Sequence, residues 1–161
     1  YLKTDGTNGV LGFGRPFTAF PSKLSFDYKY KSMSIDKADE SLAHLKGEPD
    51  SCSVYIALWH VEDNEYEDFQ GEKYPLIIRT KPGKDQNLFS PDDPRVIAYG
   101  QFTKGSTVNN WTSETINLDY KNTELAPTHI LVVASSSKYG DFFTGGVGST
   151  LVVDNMKLIY E

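Results

Sequence analysis

Apolar and polar residues alternate with a period of two along much of this chain. Leu24, Phe26, Tyr28 and Tyr30 interleave with Ser25, Asp27, Lys29 and Lys31, which predicts a half-buried strand with a charged outer face. Residues 53–60 are apolar on both faces and rich in β-formers, the pattern of a central strand. Residues 76–80, 95–103 and 113–120 predict three more strands, and 129–136 and 150–160 complete the set. Turn-forming runs separate them, among them Lys81-Pro82-Gly83, Lys104-Gly105-Ser106 and Tyr139-Gly140-Asp141. Only residues 36–46 have helical spacing, with Ala38, Leu42 and Leu45 on one face and Gly47 as the stop. Many strands with at most one short helix predict an all-β fold: a two-sheet antiparallel β-sandwich, or jelly roll.

The 161 residues match one ordinary domain, so residues 1–161 are expected to form a single β-sandwich. Sixteen basic against 22 acidic residues leave a net charge of −6, which argues against a nucleic-acid binder. Nine Phe, ten Tyr and two Trp supply ample apolar area for a core, which excludes disorder. The longest apolar runs, such as 54–59, are too short to span a bilayer. Cys52 is alone, so neither an internal disulfide nor a cysteine-based zinc site is available, and a buried, inert thiol is expected. The chain begins at Tyr1 without a leader, and we read it as the C-terminal part of a longer exported protein.

Candidate chemistry is sparse. The run 145–150 is glycine-rich but lacks the lysine of a phosphate loop and enters a strand, so it reads as a tight turn. His44, His60 and His129 stand in no hydrolase or metalloprotease motif. The acidic cluster Glu62, Asp63, Glu65, Glu67 and Asp68 reads either as a solvated loop or as a source of paired carboxylates for glycoside hydrolysis, with Glu114 and Asp141 as further candidates. Asp154 interrupts the apolar final strand, where an unpaired charge is costly. One structural calcium ion, with a partner among Asp5 and Asn8, would satisfy it; an edge position or a hydrogen-bonded turn is the alternative. Trp59 and Trp111 fall near strand ends beside polar residues, and Tyr99 alternates with Ala98 and Gly100. Rings so placed serve either the core or a sugar-stacking surface.

The runs Ile130 through Gly146 and Gly148 through Asn155, with Phe26-Asp27-Tyr28-Lys29-Tyr30 and Asp50-Ser51-Cys52-Ser53-Val54-Tyr55 upstream, resemble the PCMD family of carbohydrate metabolism domains. Those domains occur in exported surface proteins of Bacteroides and relatives. The resemblance implies a jelly roll similar to carbohydrate-binding modules, at the cell surface or in the periplasm, following immunoglobulin-like or lipoprotein-anchored segments. It carries no catalytic motif onto this chain.

Three functions follow as expectations. The first is a carbohydrate-binding domain that stacks a poly- or oligosaccharide on Trp59, Trp111 and Tyr99, with Glu114 or Asp141 bonding hydroxyls. The second is a glycoside hydrolase with a carboxylate pair from the acidic cluster, Glu114 and Asp141. The third is a structural or adhesive module that docks another protein. None of them calls for an organic cofactor, nucleic acid or insertion of this domain into a membrane.

Overall fold

The segment of clearest alternation becomes strand β4 (Lys23–Lys31), with Leu24, Phe26, Tyr28 and Tyr30 buried and Ser25, Asp27 and Lys29 half-exposed on the other face. Burying each of those rings and the leucine stabilises the fold by about 1.5–3 kcal/mol. This and the following geometry come from a computed structural model, which describes residues 2–4 and 9–160. Before β4 lie β1 (Leu2–Thr4), β2 (Gly9–Phe13) and β3 (Arg15–Pro16). After it come β5 (Cys52–Trp59), β6 (Glu67–Phe69), β7 (Glu72–Tyr74) and β8 (Leu76–Arg79). The remainder are β9 (Val96–Lys104), β10 (Val108–Asn117), β11 (Asp119–Tyr120), β12 (His129–Ser135) and β13 (Thr150–Ile159).

The described pairings are antiparallel, and the chain is an all-β sandwich, as the alternation predicts. Hydrogen-bonded strand orders are β1-β2-β8, β10-β4-β13, β11-β9-β5-β12-β3 and the hairpin β6-β7. β5 is the central strand of its sheet and is buried on both faces, which its unbroken apolar run requires. Cys52 lies there fully buried, its thiol pushed up to about 11 by desolvation.

By backbone proximity the chain divides into two units, one of residues up to 20, 57–99 and 119–131, the other of residues 21–56, 100–118 and 132 onward. In the first, Leu76, Ile77, Ile78, Val96 and Ile97 are buried, and the rings of Trp59, Phe89 and Tyr99 follow one another at 5.9 and 6.0 Å. In the second, the inner face of β4 meets Phe102 of β9, edge-on to Phe26 at 5.8 Å and to Tyr28 at 5.1 Å.

The expected helix over 36–46 contracts to a six-residue 3₁₀ helix, Glu40–Leu45. Its start is held extended: Lys37 bridges Gly145, and Asp39 caps the turn by accepting from the Ser41 N–H at 3.0 Å. Gly47 does provide the stop, at φ 91°.

Two of the segments on which the family resemblance rested, 50–55 and 130–146, meet in the second unit at Asp50, which is only 1% exposed. Its carboxylate accepts from the Ser51 N–H at 2.8 Å, the Ser137 hydroxyl at 2.6 Å and the Gly146 N–H at 2.9 Å. A buried charge survives only with such partners. The same lock explains the adjacent glycines. A Cβ at Gly145 would stand 2.5 Å from Ser137 Oγ, and one at Gly146 would stand 2.7 Å from the Ser34 carbonyl oxygen. Close approach thus sets these two positions, whereas Gly148 in the same run takes left-handed turn geometry, φ 92°.

Candidate functional site

In the second unit, β10, β4 and β13 form a three-stranded sheet with β4 at its centre. Residues opposite one another in an antiparallel pair share a face, so the register dictates what the outer face displays. Ser113, Asp27 and Asp154 form one row, Thr115, Ser25 and Lys157 a second, and Lys29 opposes Val152. Asp154 therefore occupies an outward position on an edge strand, with Val153 on the inward parity beside it. The apolar strand is interrupted on its wet side.

Two carboxylates directly opposite would repel, and Asn155 separates them. It stands in a bulge of β13 with φ 53°, a left-handed conformation that asparagine tolerates. Its backbone N–H donates to Asp154 at 2.7 Å and its side-chain amide donates to Asp27 at 2.8 Å. The Ser113 hydroxyl also donates to Asp27. Those bonds, first from Ser113 and then from Asn155, hold the Asp27 carboxyl below its ordinary pKa, and the Lys157 charge adds to them. Around this group lies a hollow of about 360 Å³ lined by Ser25, Asp27, Ser113, Glu114, Asn155 and Lys157, among others. A second hollow of about 250 Å³ lies beside Lys29 and Lys31, with Val108, Asn109, Thr150 and Val152. Trp111 is 49% exposed, with the Lys29 ammonium 4.9 Å from its ring centre.

Of the residues singled out from sequence, Trp111 and Glu114 belong to this strand group, on β10. Glu114 lies in register with inward-facing Phe26 and accepts from the Thr115 N–H at 3.0 Å. Its charge is the second cause, after burial, that raises the Tyr28 hydroxyl pKa. Trp59 is corrected: at 1% exposure its indole is part of the core of the first unit, and no ring face is open for stacking. The Arg95 guanidinium lies 5.9 Å from that ring, and the indole N–H is buried with no hydrogen-bond partner among the described residues. Tyr99 is half-buried in the same unit, its hydroxyl pKa raised by burial. Asp141 stands exposed on the 3₁₀ turn Gly140–Phe142; nearby protein mass pushes its carboxyl upward in pKa, and the solvent it meets limits the effect.

Three of the five members of the acidic cluster in the first unit are engaged locally. Glu65 accepts from the Glu62 N–H at 2.8 Å, Glu62 meets His60 Nε2 at 3.1 Å, and Glu67 pairs with Arg79 at 3.1 Å. Among the described residues no group of three His, Cys, Asp or Glu side chains is arranged to hold a metal ion. Asp5 and Asn8, the expected partners of Asp154, lie outside the described residues. No described helix is long and apolar enough to cross a membrane.

Asp27, Ser113, Asn155, Lys157 and Lys29 were not singled out from sequence. The alternation of 24–31 put Asp27 and Lys29 on a polar face, but only strand register reveals what opposes them.

Fold and face together define an all-β sandwich chain with an open sheet face of amide, carboxylate, ammonium and indole groups. A family model described as "Putative carbohydrate metabolism domain" matches residues 3–159, and the chain belongs to that family. Two similar crystal structures come from Bacteroides, each described as a "putative glycoside hydrolase". The one from Bacteroides thetaiotaomicron has 21% identity and a TM-score of 0.67, over 96% of this chain and 47% of its own. The one from Bacteroides vulgatus has 20% identity and a TM-score of 0.64, over 94% of this chain and 63% of its own. At such identities the likeness shows the fold, and the present chain spans about half to under two thirds of those proteins. No curated protein matches it.

Proposed function

We propose that this chain is a carbohydrate-binding domain whose glycan lies along the outer face of β10, β4 and β13. The observation that carries the reading is the exposed indole of Trp111 on a strand that also lines the Asp27 hollow. An exposed aromatic ring offers a flat apolar surface to the C–H face of a sugar. Asp27, Asn155, Ser113 and Lys157 supply acceptors and donors for hydroxyl groups. Membership of a carbohydrate metabolism family supports a saccharide as the ligand. The setting we propose is an exported protein, by the family resemblance.

A glycoside hydrolase is the second reading, favoured by the descriptions of the two Bacteroides structures and by Asp27 and Glu114 lining one hollow. Glycoside hydrolysis needs a carboxylic acid kept protonated to assist the leaving group. Asp27 is held toward its ionised form by Ser113 and Asn155, which suits hydroxyl binding or a nucleophile and not a proton donor. The test is a glycan-array screen followed by calorimetry and product analysis on each hit. Binding without turnover, weakened about tenfold or more by Trp111→Ala, is the expected result. Turnover abolished by Asp27→Asn would replace the binding reading with the hydrolase, and undiminished affinity in Trp111→Ala would remove this face from the account.

A further inference from the structure

The two hollows on this face differ in charge, and the difference specifies the ligand further. One is built around the Asp27 carboxylate, already bonded to Ser113 and Asn155. The other is bordered by Lys29 and Lys31 with Val108, Asn109, Thr150 and Val152, and it contains no carboxylate. Neither Lys29 nor Lys31 forms an ion pair among the described residues. In a chain of net charge −6, two ammonium groups two residues apart on one strand face, with no carboxylate partner among the described residues, are a local reversal of field. Lys29 is held over the Trp111 ring at 4.9 Å, so one cation is positioned beside the surface on which a sugar would stack.

We infer that the face takes an acidic glycan, with an anionic sugar substituent, a carboxylate or a sulfate, received by Lys29 and Lys31 while neutral hydroxyls are bonded at Asp27. This rests on the binding reading above and names its substrate class. The ligand supplies the anionic partner that neither ammonium group has among the described residues. A neutral chain would leave them with water, and the Asp27 side would repel an anion. The order of the hollows along β4, with Asp27 before Lys29 and Lys31, orients the glycan with its charged unit toward the end of that strand.

The test compares trigalacturonate, a kappa-carrageenan tetrasaccharide (sulfated and free of carboxylates) and neutral galactotriose by calorimetry at low and physiological salt, with inorganic polyphosphate as a non-sugar polyanion. Wild-type protein is set against Lys29→Gln, Lys31→Gln and the double variant, with thermal melts to confirm folding. One of the two acidic sugars should bind at least about tenfold more tightly than the neutral one, more weakly at higher salt, and lose about tenfold in the double variant. Whether the carboxylated or the sulfated probe wins identifies the substituent. Equal affinity for galactotriose, affinity unchanged in the double variant, or equal competition by polyphosphate would overturn the acidic-glycan inference and leave carbohydrate binding intact. No binding to any of these sugars, or to a wider array, would overturn both.

Discussion

Removing the Asp50 carboxylate should unlock the second unit, because three donors converge on it in a site that excludes water. Asp50→Ala strands the Ser51 N–H, the Ser137 hydroxyl and the Gly146 N–H, which now donate at 2.8, 2.6 and 2.9 Å. A hydrogen bond to a charged group contributes about 1.5–3 kcal/mol, and a buried donor left unpaired costs about 1–3 kcal/mol. Against the sum stands the relief of no longer burying a carboxylate, several kcal/mol in real proteins. The net expectation is a loss of about 3–5 kcal/mol, a large share of the roughly 5–15 kcal/mol that folded domains possess. With a urea slope of about 2 kcal/mol/M, the middle of the usual range, the midpoint should fall by about 1.5–2.5 M at unchanged slope. Asp50→Asn should fall between the two proteins. One side-chain oxygen still accepts from Ser137 and Gly146, while the new amide meets the Ser51 N–H donor to donor. Urea melts of all three proteins decide the matter. An alanine variant within about 1 kcal/mol of wild type, or an asparagine variant equal to it, would refute the lock.

Other outcomes follow from the same geometry. Burial lowers the pKa of His129, so below about pH 6.5 the unfolded chain takes up a proton that the folded chain resists, and stability falls as pH falls. His60 runs the other way: the Ala126 carbonyl and then Glu62 raise its pKa, giving stability that is complete below about pH 6.5 and lost as pH rises through the raised value. Urea midpoints at about pH 5 and pH 7 should therefore show a shallower acid loss in His129→Gln and a steeper one in His60→Gln. Cys52, fully buried with its thiol raised to about 11, should ignore a neutral-pH disulfide reagent in native protein and react fully in denaturant; rapid native labelling would contradict its burial. Gly100→Ala places a Cβ 2.4 Å from the Asn117 carbonyl oxygen and 2.5 Å from Ile116 Cγ2, and should lower stability by about 1–3 kcal/mol in the same urea assay.

The strands that bury one face were legible because period two leaves its trace in every residue, as 24–31 and 150–154 show. The short strands β1, β2, β3, β6 and β7 were not anticipated: two to five residues hold too few periods to register. The helix over 36–46 proved shorter, at Glu40–Leu45, because a helical spacing of Ala38, Leu42 and Leu45 says nothing of Lys37, whose pairing to Gly145 depends on a segment more than a hundred residues away. Position decided the aromatics as well. Trp59 and Trp111 have similar polar neighbours in sequence, yet one ends a central strand and the other lies on an edge strand. Asn155 was invisible for a further reason: its role arises from a bulge, and a bulge shifts register without changing composition.

Amide chemical-shift mapping shows whether the outer face of β10, β4 and β13 holds the glycan. The isotope-labelled protein is titrated with the tightest-binding oligosaccharide from the array. Saturable shifts are expected to concentrate in 25–31, 108–115 and 150–157, with the Trp111 indole N–H among the largest and that of buried Trp59 still. Shifts centred instead on 139–147 or on the acidic stretch 62–68, with the Trp111 signal unmoved, would contradict that placement.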